Sequence, residues 1–535
     1  MPEPTLQTLL ETRLVREPEA TAFIAGNRRI SCVEFDSLAR RAAAWLAGHG
    51  IGPGDRVAVW LVNRIEWLAL LFGLARLGAS LVAVNTRFRA AELEHVLRRS
   101  RPRMLVIQRG FRAIDFASVL EAADPRAAHA IEKVAVLDAD AAYPERILGR
   151  PAVRFDAFER NEPAPRSLAS PEAIAAMFTT SGTTRGPKLV MHTQRTIALH
   201  ALRCAAAYGF SEKGACLLGA LPLCGVFGLS STLGAFAGGA PVVLMETFDG
   251  AAAASLARAH PATHVFGSDE MLRRMLEAAP PGPEPFPALR LFGFAAFGPG
   301  ARALALEACA RGVPVCGLYG SSEVHALFAA QPRELRPEER VAAGGRPASR
   351  DAQVRVRDVA SGELLAPGAS GELEIRAPTN FVGYFDDPAA TAEAVGADGF
   401  FRTGDIGRLT GDGRFLFETR RGDAMRLAGF LVDPAEIEEV LRRDPAVAAA
   451  QVVAVEIGGE TRPVAFVIPA AGRAPSEEAI IAGARAVMAP YKVPARIWFV
   501  EGFPVTVSAN GTKIQRGVLR EMARTRLAAQ GAARS

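Results

Sequence analysis

The sequence lacks the marks of a disulfide-rich, zinc-binding or nucleic-acid-binding protein. Its six cysteines are scattered, with no CxxC pair and no histidine at ligand spacing, so we expect reduced thiols. No basic run accompanies the net charge of +5, which favours an ordinary solvated surface over nucleic-acid binding. The first twenty residues contain no basic segment followed by an apolar one. No signal peptide is therefore predicted, and a cytoplasmic protein is expected.

One charge-free stretch, residues 214–245, is long enough to cross a bilayer. Seven glycines and two prolines interrupt it, and its apolar period changes midway. A buried core segment is therefore preferred over membrane insertion, and no transmembrane segment is predicted.

Lysine is also scarce, because only five of the 62 basic residues are lysine. They are Lys133, Lys188, Lys213, Lys492 and Lys513. Arginine supplies nearly every other positive charge, so a lysine here can mark a site that needs a compact ammonium group. Chance placement is the alternative.

The pattern of apolar runs predicts an α/β protein of more than one domain. From residue 58, short apolar runs alternate with amphipathic helices as in a parallel βαβαβ unit, and a similar alternation returns from residue 241. Residues 340–418 have the short strands and turns of a β-rich module, and a compact α+β pattern follows Arg420. We predict a large N-terminal domain of two βαβ-rich lobes plus the β-rich module (1–420) and a small, mobile C-terminal domain (421–535).

The sharpest local signal is the segment FTTSGTTRGPKLV at residues 178–190. Small hydroxyl residues and glycines after an apolar strand let backbone and side-chain donors converge on phosphate, while a lysine adds a mobile charge. The predicted phosphate-binding residues are Thr180, Ser181, Gly182, Thr183, Thr184 and Lys188. Pro187 and Leu189 replace the glycine and hydroxyl residue of a Walker A loop, so a P-loop enzyme is the weaker interpretation, as is a flexible linker.

Six segments in order resemble motifs of the adenylate-forming (AMP-binding) superfamily, which includes acyl-CoA synthetases, luciferases and peptide-synthetase adenylation domains. Besides the phosphate loop they are LYGSSE (318–323), DGFFRTGD (398–405), RRGDAMRLAGFLVDPAEIEE (420–439), and the pair YKVP (491–494) and SANGTKIQR (508–516). The resemblance extends over more than three hundred residues and points to the acyl-CoA synthetase branch.

This resemblance implies an acid–thiol ligase that uses ATP, Mg²⁺ and coenzyme A. Such an enzyme converts a carboxylic acid and ATP to an acyl-adenylate and pyrophosphate, then transfers the acyl group to coenzyme A and releases AMP. Two alternatives stay open. One is an adenylate-forming ligase that loads a carrier protein. The other is a non-catalytic AMP-binding regulator, against which the presence of Lys188, Glu323, Asp405 and Lys513 argues.

The resemblance also assigns roles to residues of the nucleotide site. Lys513 would bridge the carboxylate and the α-phosphate, and Glu323 would bind magnesium and take part in catalysis. Asp405 and Arg420 would hold the ribose. The residues expected beside the adenine and the phosphates are Ala295, Ala296, Tyr319, Gly320 and Ser322.

Three departures from the family pattern concern the hinge and the acyl pocket. Gly422 stands where the hinge is usually charged, and glycine still permits a change of φ and ψ. Leu431 replaces a residue that is often polar. Cys224 and Gly225 replace the Phe-His pair of the Pro-Leu-Phe-His motif.

The predicted acyl pocket is apolar. Its residues are Cys224, Gly225, Val226, Phe227, Phe266 and Gly267. The run 227–230, FGLS, carries no acidic residue to pair with an amino-acid ammonium group. A fatty or aryl carboxylic acid is therefore expected as the substrate.

Overall fold

The structure, a computed structural model, describes most of the chain. The described ranges are 3–112, 114–137, 144–164, 167–180, 187–296, 300–427, 430–457, 460–488, 490–508 and 511–532.

The α-helices within these ranges are α1 (Leu6–Arg16), α2 (Cys32–Gly48), α3 (Ile65–Leu77), α4 (Ala90–Ser100), α5 (Phe116–Ala122), α6 (Gln194–Ala207), α7 (Val226–Gly238), α8 (Gly250–Ala259), α9 (Asp269–Ala278), α10 (Ala301–Ala310), α11 (Pro337–Arg340), α12 (Pro388–Ala394), α13 (Pro434–Leu441), α14 (Glu477–Val487) and α15 (Arg516–Ala532). Short 3₁₀ turns cover Pro125–Ala128, Asp156–Arg160 and Pro490–Lys492.

The strands up to residue 330 are β1 (Thr21–Ala25), β2 (Arg28–Ser31), β3 (Arg56–Trp60), β4 (Ser80–Ala83), β5 (Met104–Gln108), β6 (Lys133–Leu137), β7 (Arg146–Ile147), β8 (Arg150–Arg154), β9 (Ile174–Thr179), β10 (Leu189–Thr193), β11 (Leu217–Gly219), β12 (Val242–Leu244), β13 (His264–Ser268), β14 (Leu291–Ala295), β15 (Val315–Ser321) and β16 (His325–Ala330). Those beyond it are β17 (Gly344–Pro347), β18 (Gln353–Arg357), β19 (Gly371–Arg376), β20 (Gly383–Tyr384), β21 (Phe401–Leu409), β22 (Phe415–Arg420), β23 (Met425–Leu427), β24 (Phe430–Val432), β25 (Val447–Ile457), β26 (Glu460–Pro469), β27 (Ile497–Phe499), β28 (Val505–Ser508) and β29 (Gly511–Ile514).

The first predicted βαβαβ unit forms the centre of a nine-stranded sheet with the order β20-β10-β9-β4-β3-β5-β6-β8-β7. Strands β9, β4, β3, β5, β6 and β8 run parallel. Their apolar residues are buried on both faces because helices cover the sheet, as for β5, in which all five residues are buried. The predicted parallel α/β arrangement is confirmed.

The second lobe belongs to a thirteen-stranded sheet with the order β18-β19-β21-β22-β17-β16-β15-β14-β13-β11-β12-β1-β2. Strands β1, β12, β11, β13, β14 and β15 are parallel. The β-rich module predicted at 340–418 supplies antiparallel strands that continue this sheet from β16. The module is therefore an extension of the second lobe, and the extension brings β21 and β22 close to the end of β15.

The charge-free stretch 214–245 lies in the core, as expected. It forms β11, the turn after it, α7 and β12, and α7 has eleven buried residues out of thirteen. No helix within the described ranges is long and apolar enough to cross a membrane.

The residues after β22 form an α+β unit of their own. Strands β25, β26 and β27 make a three-stranded sheet, and β23–β24 and β28–β29 are two-stranded hairpins. Helix α13 packs on this sheet through Ile437 and Leu441. Arg516 Nη2 at the start of α15 lies 2.7 Å from Oε1 of the buried Glu438 of α13. This ion pair connects the last helix to the unit.

Candidate active site

The two ends of the predicted phosphate loop are joined by hydrogen bonds. The backbone N–H of Thr180 donates to the Lys188 carbonyl, and the Lys188 N–H donates to Thr180 Oγ1, each at 3.0 Å. His95 Nε2 donates to the Pro187 carbonyl at 3.0 Å. The loop thus begins and ends on the paired strands β9 and β10. Four of its predicted phosphate ligands, Ser181, Gly182, Thr183 and Thr184, lie outside the described residues.

Lys188 and Glu323 both contact Tyr384, Lys188 over its ring and Glu323 at its hydroxyl. Lys188 Nζ lies 4.5 Å from the centre of the Tyr384 ring, and Tyr384 Oη donates to Glu323 Oε1 at 3.0 Å. Burial, followed by the Glu323 charge, raises the pKa of Tyr384, so its hydroxyl stays protonated and remains a donor. Tyr384 therefore holds near one another an ammonium group that could bind phosphate and a carboxylate that could bind magnesium.

Asp405 is held from two directions. Tyr319 Oη donates to Asp405 Oδ2 at 2.6 Å, and Arg420 Nη1 lies 2.9 Å from Asp405 Oδ1. Asp405 and Arg420 are directly paired on the antiparallel strands β21 and β22. Asp405 is buried, whereas the Arg420 side chain is half-exposed. Burial, together with the Asp405 charge, raises the pKa of Tyr319 well above its usual value, so the phenol donates to a carboxylate.

A hairpin between β15 and β16 connects the Asp405 and Glu323 groups, because Tyr319 precedes the turn and Glu323 lies in it. The turn is tight at Gly320, where an added Cβ would lie 2.6 Å from both the His325 carbonyl oxygen and Ala326 Cα. The Ser322 carbonyl accepts a hydrogen bond from His192 Nε2 at 2.7 Å. The sequence order Tyr-Gly-Ser-Ser-Glu thus places two functional groups at the two ends of one short loop.

Ala295 ends strand β14, which runs parallel to β15. Ala296 follows it and is exposed. Both residues therefore lie at the carboxyl end of the parallel strands, where ligands of open α/β sheets bind.

The predicted acyl-pocket residues lie around the start of α7 and the end of β13. Gly225 caps α7 with an extended backbone, and the rings of Phe227 and Phe266 lie 6.4 Å apart. Gly267 faces Met271, because an added Cβ would lie 3.2 Å from Met271 Cβ.

Helix α7 also lines a small internal cavity, to which Val226 contributes. The lining residues are Phe178, Ile197, His200, Ala201, Val226, Leu229, Ser230, Leu233 and His325. Cys224 is buried beside α7, and burial raises the pKa of its thiol to about 11. It is therefore a neutral packing residue and not a nucleophile.

Comparison with known proteins identifies the family. Residues 10–385 match the AMP-binding enzyme profile and residues 436–510 match the AMP-binding enzyme C-terminal domain profile. The chain belongs to the AMP-binding enzyme family. These matches leave residues 386–435 between them, so a domain boundary at 420 stays a prediction.

Several relatives of this AMP-binding enzyme are ligases. It is 32% identical over 514 residues to the 2-succinylbenzoate–CoA ligase of Geobacillus kaustophilus, covering 94% of this chain and 95% of the relative. It is 32% identical over 534 residues to the fatty acid–[acyl-carrier-protein] ligase ScoC of Streptomyces coeruleorubidus, covering 97% of each. The O-succinylbenzoate coenzyme A synthetase of Bacillus subtilis, solved with AMP, superposes with a TM-score of 0.79 at 25% identity, covering 96% and 98% of the two chains.

Two predicted residues of this AMP-binding enzyme lie after β22. Lys513 lies in β29 and pairs with Thr506 of β28, while its side chain lies outside the described residues. Gly422 follows β22, and Arg520 Nη2 donates to its carbonyl at 2.9 Å. A Cβ built on Gly422 meets no atom within 4 Å, so this backbone conformation leaves room for a side chain. Leu431 pairs with Arg426 in the β23–β24 hairpin.

Sequence reasoning missed Tyr384 and the buried histidines His192, His200 and His325. Tyr384 lies in a two-residue strand beside β10, and no charged or nucleophilic side chain marks it. Its one signal is rarity, because the chain contains five tyrosines. The histidines follow no metal-ligand spacing, and no group of three His, Cys, Asp or Glu residues in the described part of the chain could hold a metal.

Proposed function

We propose that this protein is an ATP-dependent acid–thiol ligase that activates an apolar carboxylic acid, fatty or aryl, and transfers the acyl group to coenzyme A. The observation that carries the proposal is the shared hairpin of residues 319–323. It joins the Lys188–Tyr384–Glu323 group to the Tyr319–Asp405–Arg420 group. The cation proposed to bind phosphate, the carboxylate proposed to bind magnesium and the carboxylate proposed to bind ribose are thus linked through one short segment, as positioning of the nucleotide would require.

The nucleotide would lie along this hairpin. The Asp405 oxygens accept hydrogen bonds from Tyr319 and Arg420. Each oxygen of an ionised carboxylate can accept more than one hydrogen bond, so Asp405 could also accept from the ribose hydroxyls. Tyr319, Gly320 and Ser322 would border the adenine side, together with Ala295 and Ala296. Lys188, with the loop 180–184, would hold the phosphates.

Magnesium fits Glu323, whose carboxylate is already oriented by the Tyr384 hydroxyl. Because Mg²⁺ commonly takes one or two protein carboxylates and fills its shell with phosphate oxygens and water, a single Glu is a suitable donor set. When bound, Mg²⁺ would neutralise charge on the phosphates.

In the first half-reaction, an oxygen of the substrate carboxylate attacks the α-phosphorus of ATP and the bond to pyrophosphate breaks. Lys513 would hold the two anions in line and offset their repulsion. In the second half-reaction, the coenzyme A sulfur attacks the acyl carbonyl, the bond to the AMP oxygen breaks, and the thiol proton is released to solvent. A mobile C-terminal domain with a hinge at Gly422 would present Lys513 for the first step and withdraw it for the second.

The test is acid-dependent release of AMP with coenzyme A, across short, medium, long and aromatic acids, with mass spectrometry of the thioester. Asp405→Asn should lose most of the activity, because one carboxylate oxygen becomes an amide donor toward the ribose. Asp412→Asn is the matched control, since Asp412 lies in the exposed turn of the same β21–β22 hairpin. Release of AMP with no acid of the panel would overturn the proposal.

The apolar character of the acid has its own test at Gly225. Its extended backbone, with φ of −106°, accepts any side chain. Gly225→Phe should therefore fill the acyl pocket and shift the preference toward smaller acids, by about 1 kcal/mol for each excluded methylene. The measurement is kcat/KM over a chain-length series. The same ranking in both proteins would remove Gly225 from the pocket.

A second acceptor is supported by one relative. The Streptomyces protein of similar length and 32% identity is a fatty acid–[acyl-carrier-protein] ligase, so a carrier-protein thiol is the alternative nucleophile. Supplying a phosphopantetheinylated carrier protein in place of coenzyme A distinguishes the two acceptors.

A further inference from the structure

Three buried histidines stack beneath the β15–β16 hairpin. His192 lies in β10, His200 in α6, and His325 begins β16. The His325 ring lies 3.9 Å from the His192 ring and 4.5 Å from the His200 ring, between centres. All three side chains are inaccessible to bulk solvent. The stack therefore joins the acyl-pocket helices to the hairpin that carries Tyr319 and Glu323.

Two of the three histidines have clear structural partners. His192 Nε2 donates to the Ser322 carbonyl and His200 Nε2 donates to the Ala326 carbonyl, each at 2.7 Å. His325 Nε2 is buried without a hydrogen-bond partner among the described residues. Burying a nitrogen without a hydrogen-bond partner is destabilising, so this atom needs an explanation that the other two rings do not.

The backbone of His325 adds a second cost. Its φ of +64° lies in the left-handed region, which is uncommon for residues other than glycine, although asparagine, aspartate and histidine adopt it more often than the rest. A glycine at this position would avoid both the strained φ and the unpaired nitrogen. Strain and an unsatisfied polar atom at one residue, next to a binding site, are the features of a functional side chain.

His325 lines the internal cavity beside the predicted acyl pocket. Helix α7 contributes Val226, Leu229, Ser230 and Leu233, which share one helical face, and α6 contributes Ile197, His200 and Ala201 in the same manner. The space has room for about one water molecule. It therefore matches a single polar substituent better than an alkyl chain.

The lining determines which substituent is suitable. His200, Ser230 and His325 are its polar side chains, and no arginine, lysine, aspartate or glutamate is among the lining residues. A carboxylate that entered this lining would be buried without a lysine or arginine to pair with it. The cavity therefore suits an uncharged oxygen and disfavours a second carboxylate.

We propose that His325 is a specificity-determining residue that hydrogen-bonds an uncharged oxygen, a hydroxyl or ketone, on the acyl group of the substrate. The inference rests on the proposed function, because it assigns the cavity to the acid. The oxygen would satisfy the Nε2 atom that is otherwise unpaired, and the surrounding apolar residues would contact the carbon skeleton. The acid is then an apolar skeleton with one oxygen substituent that reaches the α6–α7 cavity.

The experiment compares analogues of one skeleton. The best acid of the AMP-release screen is assayed beside analogues that carry a hydroxyl, a ketone or a second carboxylate at the end remote from the reacting carboxyl. For the wild type, we expect kcat/KM to be at least tenfold higher for the hydroxyl or ketone analogue than for the unsubstituted acid, and lowest for the dicarboxylate. Equal kcat/KM for all analogues would overturn the inference.

Variants then assign the preference to the nitrogen. His325→Phe keeps a ring in the stack but removes both nitrogens, and His325→Gly removes the side chain while relieving the strained φ, which covers the case in which the Phe variant does not fold. In both, the ratio of kcat/KM between oxygenated and unsubstituted acids should fall to about one. His49→Phe is the control, because His49 stacks on Trp45 at 3.9 Å in the first lobe, and its ratio should match the wild type.

The outcomes separate the two proposals. A wild type that releases AMP but whose preference survives in both His325 variants contradicts the role of His325 and leaves the ligase intact. A wild type that releases no AMP with any acid contradicts the ligase itself.

Discussion

Tyr384 connects two charges of the site. Its hydroxyl donates to Glu323 and its ring lies under Lys188, so it orients the carboxylate through a hydrogen bond and the ammonium through a cation–π contact. Tyr384→Phe keeps the ring and removes only the hydroxyl. A hydrogen bond to a charged group is worth about 1.5–3 kcal/mol. We therefore expect kcat/KM for MgATP to fall by about tenfold, and the Mg²⁺ concentration that gives half-maximal activity to rise.

Tyr208→Phe is the matched control for this prediction. The Tyr208 hydroxyl donates to the Leu327 carbonyl at 2.9 Å in the core and makes no contact with Glu323. Its loss should lower the thermal unfolding midpoint without changing the magnesium dependence. A Tyr384 variant whose magnesium response equals that of the Tyr208 variant would contradict the orienting role.

The sequence predicted some of these residues because their motifs are continuous. Tyr319 and Glu323 belong to one six-residue segment, and the pairing of Asp405 with Arg420 follows from two adjacent strands of a hairpin. Tyr384 was missed because its partner lies 61 residues away. His325 was missed because its neighbours come from α6 and β10, more than 120 residues earlier. Such long-range contacts leave no periodic pattern in a single sequence.

The elements were predicted better than their pairing. Continuous apolar runs identified the buried parallel strands, because these strands are covered on both faces. The strands of residues 340–418 were recognised as β-rich, but the pattern did not show that β17 would pair with both β16 and β22 and extend the large sheet. Edge pairing depends on backbone groups that every residue possesses, and the side-chain pattern therefore does not specify the partner.

The N-terminus of helix α13 should make stability depend on pH. Burial raises the pKa of its capping residue Asp433 to about 6, against about 3.9 in an unfolded chain. Below about pH 3.9 the carboxyl is neutral in both the folded and the unfolded state. As the pH rises from there through about 6, the unfolded state loses this proton more readily than the folded state, so the free energy of unfolding falls. Asp433→Asn keeps a capping oxygen and should raise stability at pH 8 by about 2–3 kcal/mol, the equivalent of the difference between the two pKa values, with little difference at pH 4.

Thermal unfolding midpoints at the two pH values provide the measurement. Asp444→Asn is the control, since Asp444 is a partly buried residue of the same α+β unit that also accepts from a backbone N–H, that of Ala446. A gain for the Asp433 variant that is equal at pH 4 and pH 8 would show that the carboxyl charge is not its cause.

The connection between β22 and the α+β unit offers a test of the hinge. A Cβ at Gly422 meets nothing within 4 Å, so Gly422→Ala should support both half-reactions. Gly422→Pro fixes φ and restricts the preceding residue, so acyl-adenylate should still form while transfer to coenzyme A slows. Single-turnover assays that follow adenylate and thioester separately distinguish the two variants. A proline variant with normal thioester turnover would place the hinge elsewhere.

For the whole molecule, the proposed site draws on two separately packed units. Asp405 lies in a strand of one of the large sheets, and Lys188 and Glu323 lie in loops that adjoin strands of those sheets, whereas Lys513 belongs to the β28–β29 hairpin. Ordered contacts such as the Arg520 bond to the Gly422 carbonyl hold the last helix at the connecting segment. If the site is divided in this way, adenylation can depend on the small unit through Lys513, a residue that thioester formation does not need.

Lys513→Ala should therefore separate the half-reactions in the opposite sense from Gly422→Pro. Loss of one preorganised charge costs about a hundredfold or more, so acid-dependent exchange of pyrophosphate into ATP should be abolished. Thioester formation from supplied acyl-adenylate should be largely kept, because no α-phosphate bond is made in that step. Lys213→Ala is the control, since Lys213 is an exposed lysine in the loop before β11, and both assays should match the wild type. Equal losses in the two assays for the Lys513 variant would contradict its assignment to adenylation.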